Sequence, residues 1–252
     1  MQKTFLCFAF VSAQWLCASI TKAETAEETL SYVEANVVMI LYHEIGHALI
    51  DTLDLPVLGQ EEDAADLLSV VMMNRLWLES FARAAADGAA LSYRFSAEDD
   101  ESEPPYWGVH GLDQQRFYNI VCLFYGADSE GRADFAARHE LPEARAETCE
   151  EEFALAEASW GGYLDKIAVE DGEPPAASFS FEDLSDGEND IATLLANEVD
   201  DLNARFRMPV TIPIRLEPCN EANAYYWPET QSITICTEFI TYLREQAAAH
   251  DL

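Results

Sequence analysis

The chain has 252 residues, and its 14 basic and 47 acidic side chains give a formal net charge of -33. A chain this acidic lacks the basic face that binding to nucleic acid phosphates or to an anionic membrane surface requires. Its composition therefore excludes nucleic acids and anionic membranes as partners. Its length and its 49% content of hydrophobic residues suffice for a substantial core, in one domain or in two lobes.

The first 23 residues have the pattern of a secretory signal peptide. Lys3 supplies a positive charge, an apolar stretch covers residues 5–20, and Ala23 is a small residue at a suitable cleavage point. The stretch is short for a membrane span, and an acidic segment follows it. We therefore expect export to the periplasm or the exterior, without a stable membrane anchor after cleavage. An uncleaved N-terminal anchor is the alternative.

A helix is predicted from about residue 26 to residue 53, and it carries the sequence HEIGH at residues 43–47. Positions four apart lie above one another on a helix, so His43 and His47 project from one face and can bind one Zn²⁺ ion. Glu44 would lie beside the metal, where it can act as a general base toward water. Two hydrogen-bonded histidines packed in a core are the alternative.

A second helix is predicted from Gln60 to about Ala86, after the helix-breaking sequence LPVLG. Glu62 and Asp66 share a face of this helix. Glu62 suits a third zinc ligand, and Asp66 suits a hydrogen bond to a ligand histidine. The two alanines between them would let the helices approach closely. An acidic first turn that complements the helix dipole is the alternative.

The combination of H-E-x-x-H with a following E-x-x-x-D resembles the gluzincin clan of metallopeptidases. Nearly the whole chain after the signal peptide is similar to a bacterial family catalogued as metallopeptidases of unknown function. The resemblance implies zinc chemistry and a peptide or protein substrate, but it implies no particular substrate. The stretches that carry it are HEIGHALIDTLDLPVLGQEEDAAD, WGVHGLDQQRFYNIVCLFYG and CNEANAYYWPETQSITICTEF.

An exposed acidic loop is predicted at residues 91–107, as a solvated connector or as a lid over the cleft. A turn rich in aromatic and glycine residues then precedes a helix at 114–125. In gluzincins a His or Tyr that follows the ligand helices stabilises the oxyanion, which makes His110 the candidate here. A structural histidine is the alternative.

Four cysteines follow the signal peptide, at positions 122, 149, 219 and 236. They allow three disulfide pairings. We prefer Cys122 with Cys149 and Cys219 with Cys236, because each bridge then stays within one lobe. A second metal site is the alternative, but no C-x-x-C pair is present and export favours disulfides.

The chain is predicted to contain a helical metal-binding lobe at residues 24–168, an acidic linker at 169–190 and a C-terminal α+β lobe at 191–252. The linker is rich in Glu, Asp, Gly, Pro and Ser. The C-terminal lobe is expected to pack on the metal helix. Its predicted elements are a helix at 190–206, strands at 210–216 and 232–236, and a helix at 237–248.

The fold class is therefore α+β and mostly helical. Most gluzincins have a small sheet before the metal helix, whereas no strand is predicted before residue 43. We infer a circularly permuted zincin-like fold, with Ser232–Cys236 as the edge strand beside the metal helix and residues 223–227 at the rim of the cleft. An unrelated appended lobe is the alternative.

The expected function is an exported zinc-dependent metallopeptidase in which Glu44 activates the attacking water. A zinc amidase or deacylase of envelope material could use the same metal and base. A noncatalytic binding protein stabilised by zinc is a third reading. The sequence indicates no oligomeric state.

Overall fold

A computed structural model of the chain describes residues 30–100, 102–170 and 172–252. The predicted signal peptide lies outside these residues. Helices dominate, and a small sheet lies near the C-terminus, which confirms the α+β, mostly helical class. The elements are α1 Tyr32–Thr52, α2 Glu61–Leu76, α3 Glu79–Asp99, α4 Asp113–Ala127, α5 Ala133–Arg138, α6 Glu143–Ala156, a π-helical turn Glu157–Gly161, α7 Gly162–Leu164, β1 Phe179–Asp183, α8 Asn189–Arg205, β2 Ile212–Glu217, β3 Ala224–Trp227, β4 Ser232–Cys236 and α9 Thr237–Ala249.

Helix α1 is the central element of the fold. It begins with a capping box, in which Ser31 Oγ accepts a hydrogen bond from the Glu34 amide at 3.3 Å and the Glu34 carboxylate accepts one from the Ser31 amide at 2.8 Å. Nearly every residue from Ala35 to Ile50 is buried. The helix ends where Asp54 adopts a left-handed conformation, with φ of 50°. A helix that is apolar on all sides must be covered on all sides, and α2, α3, α8, α9 and the sheet cover α1.

The predicted helix at residues 60–86 is two helices. Trp77 and Leu78 have extended backbones, with ψ of 153° and 150°, and they separate α2 from α3. The indole of Trp77 donates a hydrogen bond to the hydroxyl of buried Tyr42 at 2.8 Å, so a tertiary contact accompanies the break. Local periodicity could not show this break.

Helix α3 also extends further than expected, because residues 91–99 are helical and the acidic loop begins only at residue 100. The side chains of Ser92 and Ser96 on this last part of α3 contact α9, where they hydrogen-bond to Gln246. Packing against α9 therefore stabilises a segment that is polar enough to be mistaken for a loop.

The two disulfides have the sequential pairing that the sequence analysis preferred. Cys122 is bonded to Cys149, which joins α4 to α6, and Cys219 is bonded to Cys236. The first bridge lies at a close helix contact, since a Cβ atom on Gly126 would lie 2.1 Å from the Cys149 carbonyl oxygen. The second ties the segment before β3 to the end of β4.

The sheet has the strand order β1-β2-β4-β3, with β1, β2 and β4 parallel and β3 antiparallel to β4. Ile233 of β4 is paired with Ile214 on one side and Tyr226 on the other. The prediction that Ser232–Cys236 forms the edge strand is therefore wrong, and β3 is the edge strand near α1. All five residues of β4 are buried, as an interior strand requires, whereas β3 is partly exposed.

Strand β1 lies within the range that was predicted to be an acidic linker. It pairs with β2 over Phe179–Asp183, and only Phe179 of its side chains is fully buried. A short strand with exposed Glu and Asp residues resembles a loop in sequence, so its pairing with β2 was missed.

The sheet packs directly on α1, and both contribute to one hydrophobic core cluster. One hydrogen bond reinforces this contact, because the Tyr226 hydroxyl of β3 donates to Asp51 of α1 at 2.7 Å. Another hydrogen bond joins α1 to α8, from the Tyr42 hydroxyl to the carboxylate of Glu198. Among the described residues, no helix is long and apolar enough to span a membrane.

Candidate metal centre

Three side chains from α1 and α2 bring one donor atom each to a common point. His43 Nε2 lies 3.1 Å from Glu62 Oε2, His47 Nε2 lies 3.4 Å from the same oxygen, and the two nitrogens are 3.2 Å apart. Close helix packing makes this possible. A Cβ atom on Gly46 would lie only 2.9 Å from the Cα atom of Ala65, so the small residues let α2 bring Glu62 to the histidines.

The donor set fits a divalent cation. Zinc binds histidine nitrogen and carboxylate oxygen at about 2.0–2.2 Å, and a tetrahedral arrangement at that distance separates its ligand atoms by about 3.3 Å. The three separations of 3.1–3.4 Å match this value. Two histidines and one carboxylate are also a donor set of catalytic zinc sites, which keep a further position open.

A carboxylate holds the second nitrogen of each histidine. His43 Nδ1 lies 2.8 Å from Asp66 Oδ1, and His47 Nδ1 lies 2.8 Å from Glu61 Oε1. When Nδ1–H donates to a carboxylate, the lone pair of Nε2 is free to bind a metal ion. Asp66 was predicted in this role from its spacing, whereas Glu61, which directly precedes Glu62, was not.

Arg116 of α4 anchors Asp66 from the opposite side. Its Nε and Nη2 atoms donate to the two oxygens of Asp66 at 2.8 and 2.7 Å, and its guanidinium lies 4.2 Å from the centre of the Tyr93 ring. Burial raises the pKa of Asp66, but hydrogen bonds from His43 and Arg116 outweigh that effect and hold the pKa well below its usual range. Asp66 is therefore a fixed negative charge. No local pattern indicates a role for Arg116, which is 50 residues from Asp66.

The carboxylates around the histidines favour positive charge at this point. Burial lowers the pKa of His43, but hydrogen bonds with Asp66 and Glu62 raise it to about 9. Glu62 has a pKa far below its usual range, because contacts with His110, His43 and His47 outweigh the effect of its burial. The field that favours a proton on imidazole also favours a metal cation between the three side chains.

Glu44 is buried between the histidines and β3, with 5% of its surface exposed, and it borders the same cavity. Burial raises the pKa of its carboxyl group, while His43 and His47 lower it to a smaller extent. A hydrogen bond from the backbone of Tyr226 also favours the carboxylate. Glu44 therefore lies next to the candidate metal position, as the H-E-x-x-H spacing predicts.

His110 comes to the same place from the loop before α4. Its Nε2 atom lies 2.9 Å from Glu62 Oε2, and its ring stacks with His43 at a centroid distance of 6.5 Å. Its side chain is 53% exposed, so it faces the open side of the site. A role in stabilising an oxyanion stays a prediction.

The candidate site opens into a cleft of about 570 Å³. One wall comes from α1 and the start of α2, and another comes from Val109 and His110. The third wall is β3 with its flanking residues. Asn223–Tyr226 line it, as predicted for the rim, whereas Trp227 does not line the cleft. The free edge of the sheet thus lies beside the candidate metal centre.

An α+β fold with two histidines and a glutamate around one point, next to a buried glutamate, has the features of a metal-dependent peptidase. The chain belongs to the family DUF4344, described as "Putative metallopeptidase", whose model matches residues 1–164 and 186–252. This membership confirms the resemblance to a metallopeptidase family. Comparisons with curated proteins and with solved structures found no match. Family and site together support a metal-dependent peptidase.

Proposed function

We propose that the protein is an exported zinc-dependent metallopeptidase that hydrolyses peptide bonds. The observation that carries the proposal is the set of 3.1–3.4 Å separations between His43 Nε2, His47 Nε2 and Glu62 Oε2. These three atoms would hold Zn²⁺. When bound, zinc would lower the pKa of a water molecule to about 7 and polarise the substrate carbonyl.

Glu44 is the proposed general base. It would accept a proton from the attacking water and deliver that proton to the leaving amide nitrogen, so its carboxylate is regenerated in each cycle. The position of Glu44 supports this role, because its carboxylate borders the cleft and Glu44 directly follows the first histidine of the motif. Asp66 and Glu61 would keep the two imidazoles in the required orientation, and Arg116 would hold Asp66 in place.

Strand β3 is the proposed wall for the substrate backbone. It is the edge strand of the sheet and lines the cleft, so an extended peptide could pair with its free side. His110 would donate a hydrogen bond to the negative charge that develops on the substrate carbonyl oxygen. The position of the His110 ring supports this role, because the ring is partly exposed to the cleft and its Nε2 atom lies 2.9 Å from Glu62.

The arrangement of the chain is proposed to be zincin-like and circularly permuted, since the small sheet follows α1 in sequence and packs against it. A helical lobe at residues 24–168 and an α+β lobe at 191–252 would then enclose the cleft. Export is supported by the two disulfides, which form and persist in oxidising compartments.

The test uses the chain from residue 24 onward, produced in an oxidising compartment, with zinc measured by mass spectrometry and cleavage measured on a peptide library. About one zinc ion per chain is expected. His43→Ala should lose it, whereas Glu44→Gln should keep it and lose at least roughly a hundredfold in turnover. His250→Ala is the matched control, because His250 interacts with Asp99 and Phe95 instead of the site and should retain both zinc and activity.

Zinc that stays stoichiometric after both His43 and His47 are replaced would refute the ligand set. Unchanged turnover in Glu44→Gln would refute the role of the base. A parallel panel of cell-wall amides separates the peptidase from an amidase or deacylase, because only the peptidase would prefer the peptide library.

A further inference from the structure

A second, smaller cavity of about 170 Å³ lies behind His43, between α1, α3, α4 and α9. Ile40, His43, Arg116 and Asn223 line both this cavity and the metal cleft, so the two lie next to each other. The smaller cavity falls below the range of about 300–1,000 Å³ that is usual for pockets holding whole small molecules. Its size and position suit one side chain of a substrate that lies in the cleft.

One wall of this side cavity is a fixed set of hydroxyl groups. Buried Gln246, which is 5% exposed, accepts a hydrogen bond from Ser92 Oγ at 3.1 Å. Its Nε2 atom donates to the Tyr242 hydroxyl at 3.0 Å and to Ser96 Oγ at 3.3 Å. The network orders this wall, and Ser92, Ser96 and Tyr242 all line the cavity. Hydroxyl oxygens still have lone pairs that can accept hydrogen bonds from a ligand.

The other wall carries a carboxylate without a hydrogen-bond partner in the described part of the chain. Asp113, the first residue of α4, lines the side cavity, and no hydrogen bond to its carboxylate is found among the described residues. Arg116 and His110 act on this carboxylate electrostatically, but Arg116 directs two hydrogen bonds to Asp66 and His110 lies 2.9 Å from Glu62. One cation between two carboxylates leaves a net negative charge on this wall. Asp99, Asp100 and Glu245 line an adjoining cavity with Asp113 and add to it.

We propose that the side cavity is a specificity subsite that binds a basic side chain, Lys or Arg, of the peptide substrate. The cationic group would pair with Asp113 and donate hydrogen bonds to the hydroxyls of Ser96 and Tyr242. The lining also holds apolar side chains, among them Met39, Ile40 and Phe239, that can pack against the methylene groups of Lys or Arg. Only a basic side chain would in addition pair with Asp113, which would repel an acidic one. The inference rests on the proposed peptidase function, because the ligand is a residue of its substrate.

The test compares alanine-based octapeptides that carry a single Lys, Leu or Glu at each position in turn. For the zinc-loaded protein, kcat/KM for Lys should exceed that for Leu by about tenfold or more at one position, since charge-assisted hydrogen bonds are the strong ones. In Asp113→Asn the Lys-to-Leu ratio should fall toward one. Asp200→Asn is the matched control, because Asp200 is exposed on α8 and lines neither cavity, so its ratio should stay high.

Binding separates this inference from the proposed function. The same peptides are titrated calorimetrically into zinc-loaded Glu44→Gln, with and without Asp113→Asn, after zinc content and thermal unfolding show that the variants fold. Cleavage with no Lys preference, or with a preference that Asp113→Asn leaves intact, would refute the proposed subsite but not the proposed peptidase activity. Tight binding of Lys peptides that depends on Asp113, without any cleavage by the wild type, supports the subsite and overturns the peptidase. Equal binding of Lys and Leu peptides overturns the subsite.

Discussion

Replacement of Arg116 by Met should destabilise the protein and weaken zinc binding together. The side chains of Arg116 and Asp66 are only 11% and 16% exposed, and two hydrogen bonds of 2.7 and 2.8 Å join them. Methionine fills much of the same space but removes the guanidinium from the buried carboxylate, which among the described residues keeps only its hydrogen bond with His43. Loss of one partner of a buried ion pair costs about 3 to 5 kcal/mol. Since whole proteins are stable by about 5 to 15 kcal/mol, the variant should still fold at low temperature.

The effect on the metal follows from the position of Asp66. Without Arg116, Asp66 is no longer held in one orientation, and its hydrogen bond to His43 Nδ1 loosens. Loss of such a supporting contact typically lowers metal affinity by roughly 10- to 100-fold. Urea unfolding in the presence of a chelator measures the stability of the metal-free protein. Competition with a zinc chelator of known affinity measures the zinc affinity.

A control with the same chemistry but more solvent exposure is available in Arg145→Met. Arg145 donates to both oxygens of Glu152 at 2.6 Å, but the two side chains are 26% and 40% exposed. An exposed pair contributes about 0 to 1 kcal/mol. Equal losses of stability in the two variants, or unchanged zinc affinity in Arg116→Met, would show that Arg116 does not act through Asp66 in the way described.

Two further variants probe the packing of α1. Gly46→Ala should lower the free energy of unfolding by about 1 to 3 kcal/mol and weaken zinc binding, because the new methyl group would meet the α2 backbone at 2.9 Å. Gly162→Ala is the control. Nothing lies within 4 Å of its added atom, so its unfolding midpoint and zinc affinity should not fall. Burial raises the pKa of Glu198 above its ordinary 4.5, so the stability that its neutral form contributes is lost as pH rises from about 4.5 through the folded-state pKa. Glu198→Gln cannot ionise, and its unfolding free energy relative to the wild type should therefore increase across that pH range, whereas parallel stability curves would contradict the assignment.

The parts of the site that the sequence could predict depend on short spacings. His43 and His47 are four residues apart on one helix, and Glu62 and Asp66 are four apart on the next, so periodicity alone places each pair on one face. Glu44 directly follows His43 and therefore lies beside the first pair. The contacts of Glu61 and Arg116 depend on how α2 and α4 pack against α1. Neither residue type nor spacing encodes that packing, so both side chains were missed.

The order of strands in the sheet could likewise not be predicted from local sequence patterns. Residues 232–236 were recognised as a strand from their alternating pattern, but a pattern along one strand does not state which strands flank it. β4 pairs with β2 on one side and with β3 on the other, and these partners became evident only in the folded chain. The acidic strand β1 carries no strong pattern, so its existence depends on the partner that β2 provides.

The two edges of the sheet differ in what they present to other molecules. β3 faces the cleft, whereas β1 forms the opposite edge, with Glu182 and Asp183 exposed. An open strand edge can pair with the same edge of another copy and begin aggregation. Here, any such approach would bring like carboxylates together on chains that each carry a net charge of -33. The colloidal behaviour of the protein should therefore depend on pH and salt, because acid or high ionic strength removes the repulsion that keeps these edges apart.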